Sequence, residues 1–442
     1  MSVELGTLNP MTAELSETAR IARDLIRFDT SNRGNGDANP EAEAAAYVAD
    51  YLRALGLEPH IYEAAPGRAT VVARVSGQDP ELPALVLHGH LDVVPADPST
   101  WSVDPFEGVI RDGMLWGRGA VDMKDMDAMM LTSVAEMLRA GERPRRDVIL
   151  VFFADEENGG TYGSTWMVEN HPEVFAGAAT AVSEVGGYSI DINGTRAYLI
   201  QTGEKAMDWI KIRARGGAAH GSRVWHDNAV TKLAEAVAAI GRHEWPLTLC
   251  DTTRELVEEI AKIFGETPQE IDAEQLIVRL GPAGGFIQAS LRSTSNPTVL
   301  QAGYKHNVIP EVAEALIDIR AMPDHQATIL DDIRRIVGDE IEIEAVNSHP
   351  GLEVPFSGEI VDAMIASLNR HDPEARVLPY LLSGGTDNKA LSRLGITGYG
   401  FAPLRLPSDL DFPGMFHGVD ERVPLDALDF GHRVLLDFLR TY

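Results

Sequence analysis

The chain has little cysteine, few cations for its size and no long apolar run. One cysteine in 442 residues, Cys250, excludes a disulfide framework and a cysteine-based zinc site. Lysine and arginine number 38 against 67 aspartates and glutamates, a formal net charge of −29. That balance argues against nucleic acid and anionic membrane surfaces as partners. No stretch is long and apolar enough to span a bilayer. The leading residues, Met1 to Thr18, lack a basic start and an apolar centre. No secretory leader is therefore expected, and the cytoplasm is the expected compartment.

What is present is an ordinary globular composition, 44% hydrophobic, over a length that suggests two domains. Ile21, Leu25 and Phe28 mark one helical face; Ala44, Val48, Leu52 and Leu55 mark another, ended by Gly56. Residues 70–75 and 84–87 read as strands. Gly117-Arg-Gly-Ala-Val-Asp122 reads as a glycine-rich turn into a helix over 123–140. This rhythm predicts an α/β fold, a mainly parallel sheet flanked by helices.

The pattern changes near Thr202. Residues 208–213 alternate as a half-exposed strand does. Ala229, Val230, Leu233, Val237 and Ile240 then line a helix, followed by a strand over 315–320, a helix over 329–337 and a strand over 341–345. That order predicts a smaller α+β, ferredoxin-like domain serving as lid or dimerisation unit. Residues 244–299 interrupt it, with 282–285 read as loop. The α/β pattern resumes with helices near 360–368 and 424–441. The expected division is a catalytic domain, 1–202 and 351–442, split by an insert over 203–350.

Three strand ends carry the chemistry. Ala84-Leu-Val-Leu87 leads into His88-Gly-His-Leu-Asp92, residues 148–153 lead into Asp155-Glu-Glu157, and Ala181-Val-Ser183 leads into Glu184. Carboxyl ends of buried strands line the cleft of an α/β sheet. Imidazole and carboxylate groups gathered there are what a divalent metal needs. Each residue also has a plainer reading. His90 alone fits a satisfied core histidine, Asp122 a cap on the helix after it, Glu156 and Glu157 a solvated loop, and His417 a surface residue. Asp92, two residues after His90, has the place of a carboxylate that accepts the far imidazole N–H.

The runs His88-Gly-His-Leu-Asp-Val-Val-Pro95, Gly117-Arg-Gly-Ala-Val-Asp-Met-Lys124, Asp155-Glu-Glu157, Ser183-Glu-Val-Gly-Gly187 and Phe416-His-Gly-Val-Asp-Glu421 resemble, in order, the signatures of one dinuclear-metal hydrolase family. It contains aminoacylases, carboxypeptidases G2 and S, dipeptidases and succinyl-diaminopimelate desuccinylase. Ala302-Gly-Tyr-Lys-His-Asn-Val-Ile-Pro310 is most similar to the branch of carboxypeptidase S and the N-fatty-acyl-amino-acid hydrolases. The resemblance implies two divalent ions, zinc with cobalt or manganese as alternatives. His90 and Glu184 would hold one, Glu157 and His417 the other, and Asp122 would bridge them. It makes Asp92 the group that orients His90, and Glu156 the general base that passes a proton from water to the leaving nitrogen. It leaves His88 outside the ligand set as a structural residue.

The same resemblance makes His220, in Gly216-Gly-Ala-Ala-His-Gly221, a donor to the developing oxyanion, often across a homodimer formed through the insert. A hairpin turn or a surface histidine is the plainer reading. Asn307 and Arg320 match positions that grip a substrate carboxylate, and Gly385 and Thr386 lie in a segment like a substrate-lining loop; a surface cation and a glycine-rich turn are the alternatives. The expected activity is hydrolysis of the amide of N-acyl amino acids or short peptides with a free carboxylate. Two rivals belong to other classes. A dinuclear metallophosphoesterase lacks support from any Arg/Lys clamp near the ligand motifs, and a non-catalytic metal-binding regulator would not need Glu156.

Overall fold

The computed structural model describes residues 15–34, 36–267 and 272–442. Most of the segment read for a leader, residues 1–14, lies outside the described residues. The helix Glu17–Ile26 starts at Ser16, whose hydroxyl accepts the Ala19 N–H at 3.2 Å, a side-chain cap. Its apolar face, Ile21, Leu25 and Ile26, is fully buried. It packs with Leu425–Thr441 against Lys124–Arg139, a helix buried on nearly all sides.

A ten-stranded sheet organises the larger body. Its centre is parallel: Val148–Phe153, Ala84–His90, Ala178–Ser183 and Thr397–Gly400 lie side by side. Leu87 stands opposite Val182, and His90 opposite Phe153. The first two strands are buried at every position, which is why they read as unbroken apolar runs.

The expectation of a mainly parallel sheet needs correction, because the sheet is mixed. His60–Ala65 pairs antiparallel with Arg68–Val75, which pairs antiparallel with Val148–Phe153. On the other side Thr195–Glu204 pairs antiparallel with Ser189–Ile192 and Leu352–Glu353, and parallel with Arg376–Leu382. The cause is local in the case of Ser189–Ile192. Asn193 and Gly194 both have positive φ, 53° and 79°, as a two-residue hairpin loop requires.

The second sheet has four strands in the order Thr294–Ala302, Val312–Ala321, Ala206–Arg215, Ile341–His349, every pair antiparallel. One face buries Ile210, Ile212, Ile317 and Ile319 beneath the helices Ala229–Arg242 and Gln326–Val337. The other face is half-exposed, matching the alternation read in 208–213.

Between the first two of these strands in sequence, the helices Asp251–Phe264, Ala273–Val278 and Pro282–Gln288 leave the small sheet. Leu256, Ile260, Leu276 and Ile287 join the core of the larger body, and Asp251–Phe264 lies against Arg376–Leu382. The loop expected at 282–285 is thus a helix, with proline in its first turn. Proline is favoured there because the N–H it lacks would have no helical partner. No helix among the described residues is long and apolar enough to cross a membrane.

Candidate metal centre

The strand Ala84–His90 delivers His90 fully buried. Its Nδ1–H donates to the backbone carbonyl of Asp92 at 2.9 Å, leaving Nε2 facing a ring of carboxylates. The Asp92 side chain does not take this proton as expected; its nearest oxygen is 3.6 Å from Nδ1. The carboxylate is drawn the other way, by Asn32 Nδ2 at 2.9 Å and by the backbone N–H groups of Glu156 at 3.0 Å and Glu157 at 3.2 Å. Asp92 therefore fixes the imidazole through its main chain and the acidic turn through its side chain.

Around His90 Nε2 stand Asp122 Oδ1 at 3.2 Å, Glu184 Oε2 at 3.3 Å and Glu156 Oε2 at 3.9 Å. The other oxygen of Asp122 is 3.3 Å from His417 Nε2, and Glu157 Oε2 is 3.1 Å from the same nitrogen. Asp122 thus lies between two histidines, one carboxylate oxygen toward each. The helix after it begins at Lys124 with no side-chain cap, so capping does not explain this aspartate. Donor atoms of His90, Glu156 and Glu184, and of His90, Asp122 and Glu157, fall within 4.8 Å of one another. His417, half-exposed, closes the second group.

Residues outside the motif donors brace this arrangement. Glu421, fully buried, accepts Arg118 Nη1 at 2.7 Å and the backbone N–H groups of Gly119, Val121 and Asp122 at 3.1, 2.7 and 3.2 Å. It shapes the turn that presents Asp122. Gly119 sits there at φ 85°, where a Cβ would come within 2.9 Å of Val93. Asp155, held by Arg68 at 2.7 Å and Asn32 at 2.9 Å, keeps a left-handed φ of 62°. Val185 and His417 are also left-handed, at 56° and 58°. Backbone strain of this kind collects at functional sites, and here it lies beside or at three candidate ligands.

The electrostatics fit a cationic guest. Burial raises Glu184 to about 8 and Asp387 to about 7. Burial, with Glu184 beside it, lifts Glu156 well above the carboxylate range; burial and Asp122 lift Glu157. Hydrogen bonds donated by its imidazole to Asp122 and Glu157 push His417 up to about 11. So many acids pressed together retain protons unless positive charge arrives, and two divalent ions supply it. His88 is different. Burial drops it to about 4, and its Nε2 meets Asn388 Oδ1 at 3.0 Å, a structural role.

A cleft of about 470 Å³ opens above these donors, within the range of small-molecule sites. Arg320, Gly385 and Thr386 line it. Arg320 is forked onto Asp318 at 2.8 and 3.2 Å. The Thr386 hydroxyl is donated to buried Glu204 at 2.6 Å, so this side chain is engaged within the protein. His220 and Asn307 are not among the described residues lining the cleft. His220 is exposed, its Nδ1 2.8 Å from Ser222 Oγ, and its strand pairs with Val308–Ile309, next to Asn307.

The family model described as "Peptidase family M20/M25/M40" matches residues 86–441. The chain belongs to this family. It is a metal-dependent hydrolase of amide bonds, with a His/Asp/Glu centre for two divalent ions. N-fatty-acyl-amino acid synthase/hydrolase PM20D1 of Xenopus tropicalis is 27% identical over 437 residues, 94% of this chain and 84% of that protein. Aminoacylase-1 of Homo sapiens is 26% identical over 393 residues, 86% of this chain and 85% of that protein. Among solved structures, the M20 metallo-carboxypeptidase Sso-CP2 of Sulfolobus solfataricus has a TM-score of 0.73 at 19% identity, over 97% of this chain and 99% of that one. Human carnosine dipeptidase 1 has a TM-score of 0.68 at 16% identity, over 96% of each chain.

Proposed function

We propose that the cleft hydrolyses the amide of N-acyl amino acids or short peptides bearing a free carboxylate. The observation that carries this reading is Asp122, whose two oxygens face His90 and His417 at 3.2 and 3.3 Å. A carboxylate so placed is suited to bridging two cations. In this reading His90 and Glu184 hold one ion, Glu157 and His417 the other, with zinc the expected metal. When bound, the ions supply Lewis-acid polarisation and a water of lowered pKa.

The residues do the rest. Glu156, whose oxygen stands farther from His90 Nε2 than those of Asp122 and Glu184, serves as general base. It takes a proton from water and returns it to the leaving nitrogen, which leaves as an amine. Asp92 holds the Glu156 backbone in place. Arg320, at the cleft wall, suits a substrate carboxylate through the guanidinium edge turned away from Asp318, with Gly385 and Thr386 beside the substrate main chain. Val185, Met207, Trp209, Phe286, Leu382 and Phe416 give the cleft an apolar lining for an acyl or side-chain group.

The same reading assigns 1–202 and 351–442 to the catalytic unit and 203–350 to the inserted lid, with the helices of 251–288 seated on the catalytic sheet. The order and directions of the small sheet's strands support a ferredoxin-like lid. A homodimer through that lid, with His220 and Asn307 reaching a neighbouring site, and a cytoplasmic location complete the proposal. Assay of the purified zinc-, cobalt- or manganese-loaded protein on N-acyl amino acids and dipeptides tests it. Release of free amino acid is the expected result, and no turnover of either class contradicts it.

A further inference from the structure

The lid sheet lowers six side chains toward the cleft in two rows. Met207 is paired with Arg320 on one side and His349 on the other; Trp209 is likewise flanked by Asp318 and Asn347. Residues directly opposite one another share a sheet face. Met207, Trp209, Arg320 and His349 all line the cleft. Arg320 and His349 therefore occupy the two ends of one row, separated at the backbone by two strand spacings, roughly 10 Å.

The His349 ring is held in a defined state. Asn347 Oδ1 accepts the Ser348 N–H at 2.9 Å, which turns the Asn347 amide to donate to His349 Nε2 at 2.9 Å. Nε2 being the acceptor, the single proton of the neutral ring sits on Nδ1. That N–H has no protein partner among the described residues, and Nδ1 is not among the buried unpartnered atoms; it is an accessible donor on a residue that lines the cleft. Burial, with Lys389 and Arg320 nearby and Asp208 opposing them, lowers the proton affinity of the ring, so it donates without adding a charge. The ring also overhangs the acidic turn: a Cβ on Gly159 would lie 3.9 Å from His349 Nε2 and 3.9 Å from the Asn347 amide nitrogen.

We propose that His349 Nδ1–H, from the same chain, donates a hydrogen bond to the scissile carbonyl oxygen of the substrate, a second donor there besides the one expected of His220. The inference rests on the amide-hydrolysis reading. With Arg320 on the carboxylate at one end of the row, His349 meets the part of the substrate that lies over Glu156 and Glu157. The catalytic contact is non-covalent: as water adds to the carbonyl carbon and negative charge gathers on its oxygen, this N–H bond strengthens.

Two variants of the metal-loaded full chain test it. His349→Phe keeps a ring against Gly159 and removes the N–H; His349→Ala removes both. Both are expected to lose about 100-fold in kcat with KM within about threefold of wild type, as loss of one oxyanion donor does. Imidazole added to the solution is expected to restore His349→Ala and not His349→Phe. A purely structural role predicts that His349→Phe keeps its kcat, or that the loss falls in KM and melting temperature, and either result overturns the proposal. If wild type turns over no acyl amino acid or dipeptide, the parent reading fails. The donor is then judged by calorimetric affinity for a phosphinic pseudodipeptide. A loss of about tenfold or more in His349→Phe supports it; equal affinities, or no binding to wild type, overturn it.

Discussion

The carboxylate of Asp92 accepts the backbone N–H of Glu156 at 3.0 Å. With the N–H of Glu157 at 3.2 Å and the amide of Asn32 at 2.9 Å, three donors converge on this one side chain. Asp92→Asn replaces an acceptor oxygen with an NH2 group that faces donors. The turn then loosens, and kcat/KM and metal affinity fall by about 10–100-fold, as they do when a group behind the ligands is lost. Steady-state kinetics and metal analysis check this, and wild-type values for both would show that the turn holds without it.

Glu156→Gln keeps the shape and removes the base. The expected result is a fall in kcat of about 10²–10⁴-fold with two equivalents of metal retained. Loss of metal in step with activity would instead make Glu156 a ligand.

Metal uptake is expected to release protons. Burial raises Glu184 to about 8, and the bonds His417 donates to Asp122 and Glu157 raise its imidazole to about 11. Both groups are protonated in the metal-free protein below those values, and both must lose the proton to bind. Zinc affinity therefore rises with pH, two protons being displaced below about 8 and one between about 8 and about 11. Titration calorimetry in buffers of different ionisation enthalpy measures the protons released; an affinity independent of pH contradicts the donor set.

Glu421→Ala tests the brace behind Asp122. It leaves Arg118, 3% exposed, as an uncompensated buried cation and frees three backbone N–H groups. Removing one partner of such a pair destabilises by about 3–5 kcal/mol, read as a lower unfolding midpoint in urea. A midpoint unchanged from wild type would mean that water or rearrangement satisfies Arg118.

Much of the centre was legible in one dimension because His90 ends, and Glu156, Glu157 and Glu184 follow, a strand buried wholly or over its last residues. A run of apolar residues stopped by a metal donor is visible without coordinates. The bracing was not. Glu421 and Arg118 are 303 residues apart, and nothing local to either announces the other. The alternation in 208–213 revealed a half-exposed strand, but not that Met207 and Trp209 at its start turn into the cleft. Leu256, Val257, Ile260 and Ala261 carry helical spacing in plain view. Their docking on the large sheet instead of the small one depends on the apolar surface of Arg376–Leu382 and Thr195–Glu204, which only the assembled fold creates. The 282–285 loop reading followed its glycines, where proline in a first helical turn was the stronger signal.

The most direct measurement is anomalous scattering at the zinc edge from crystals of the metal-loaded protein. Two peaks flanking Asp122 are predicted, one against His90 and Glu184 and the other against Glu157 and His417. A single peak, or two peaks of which neither touches Asp122, contradicts the account.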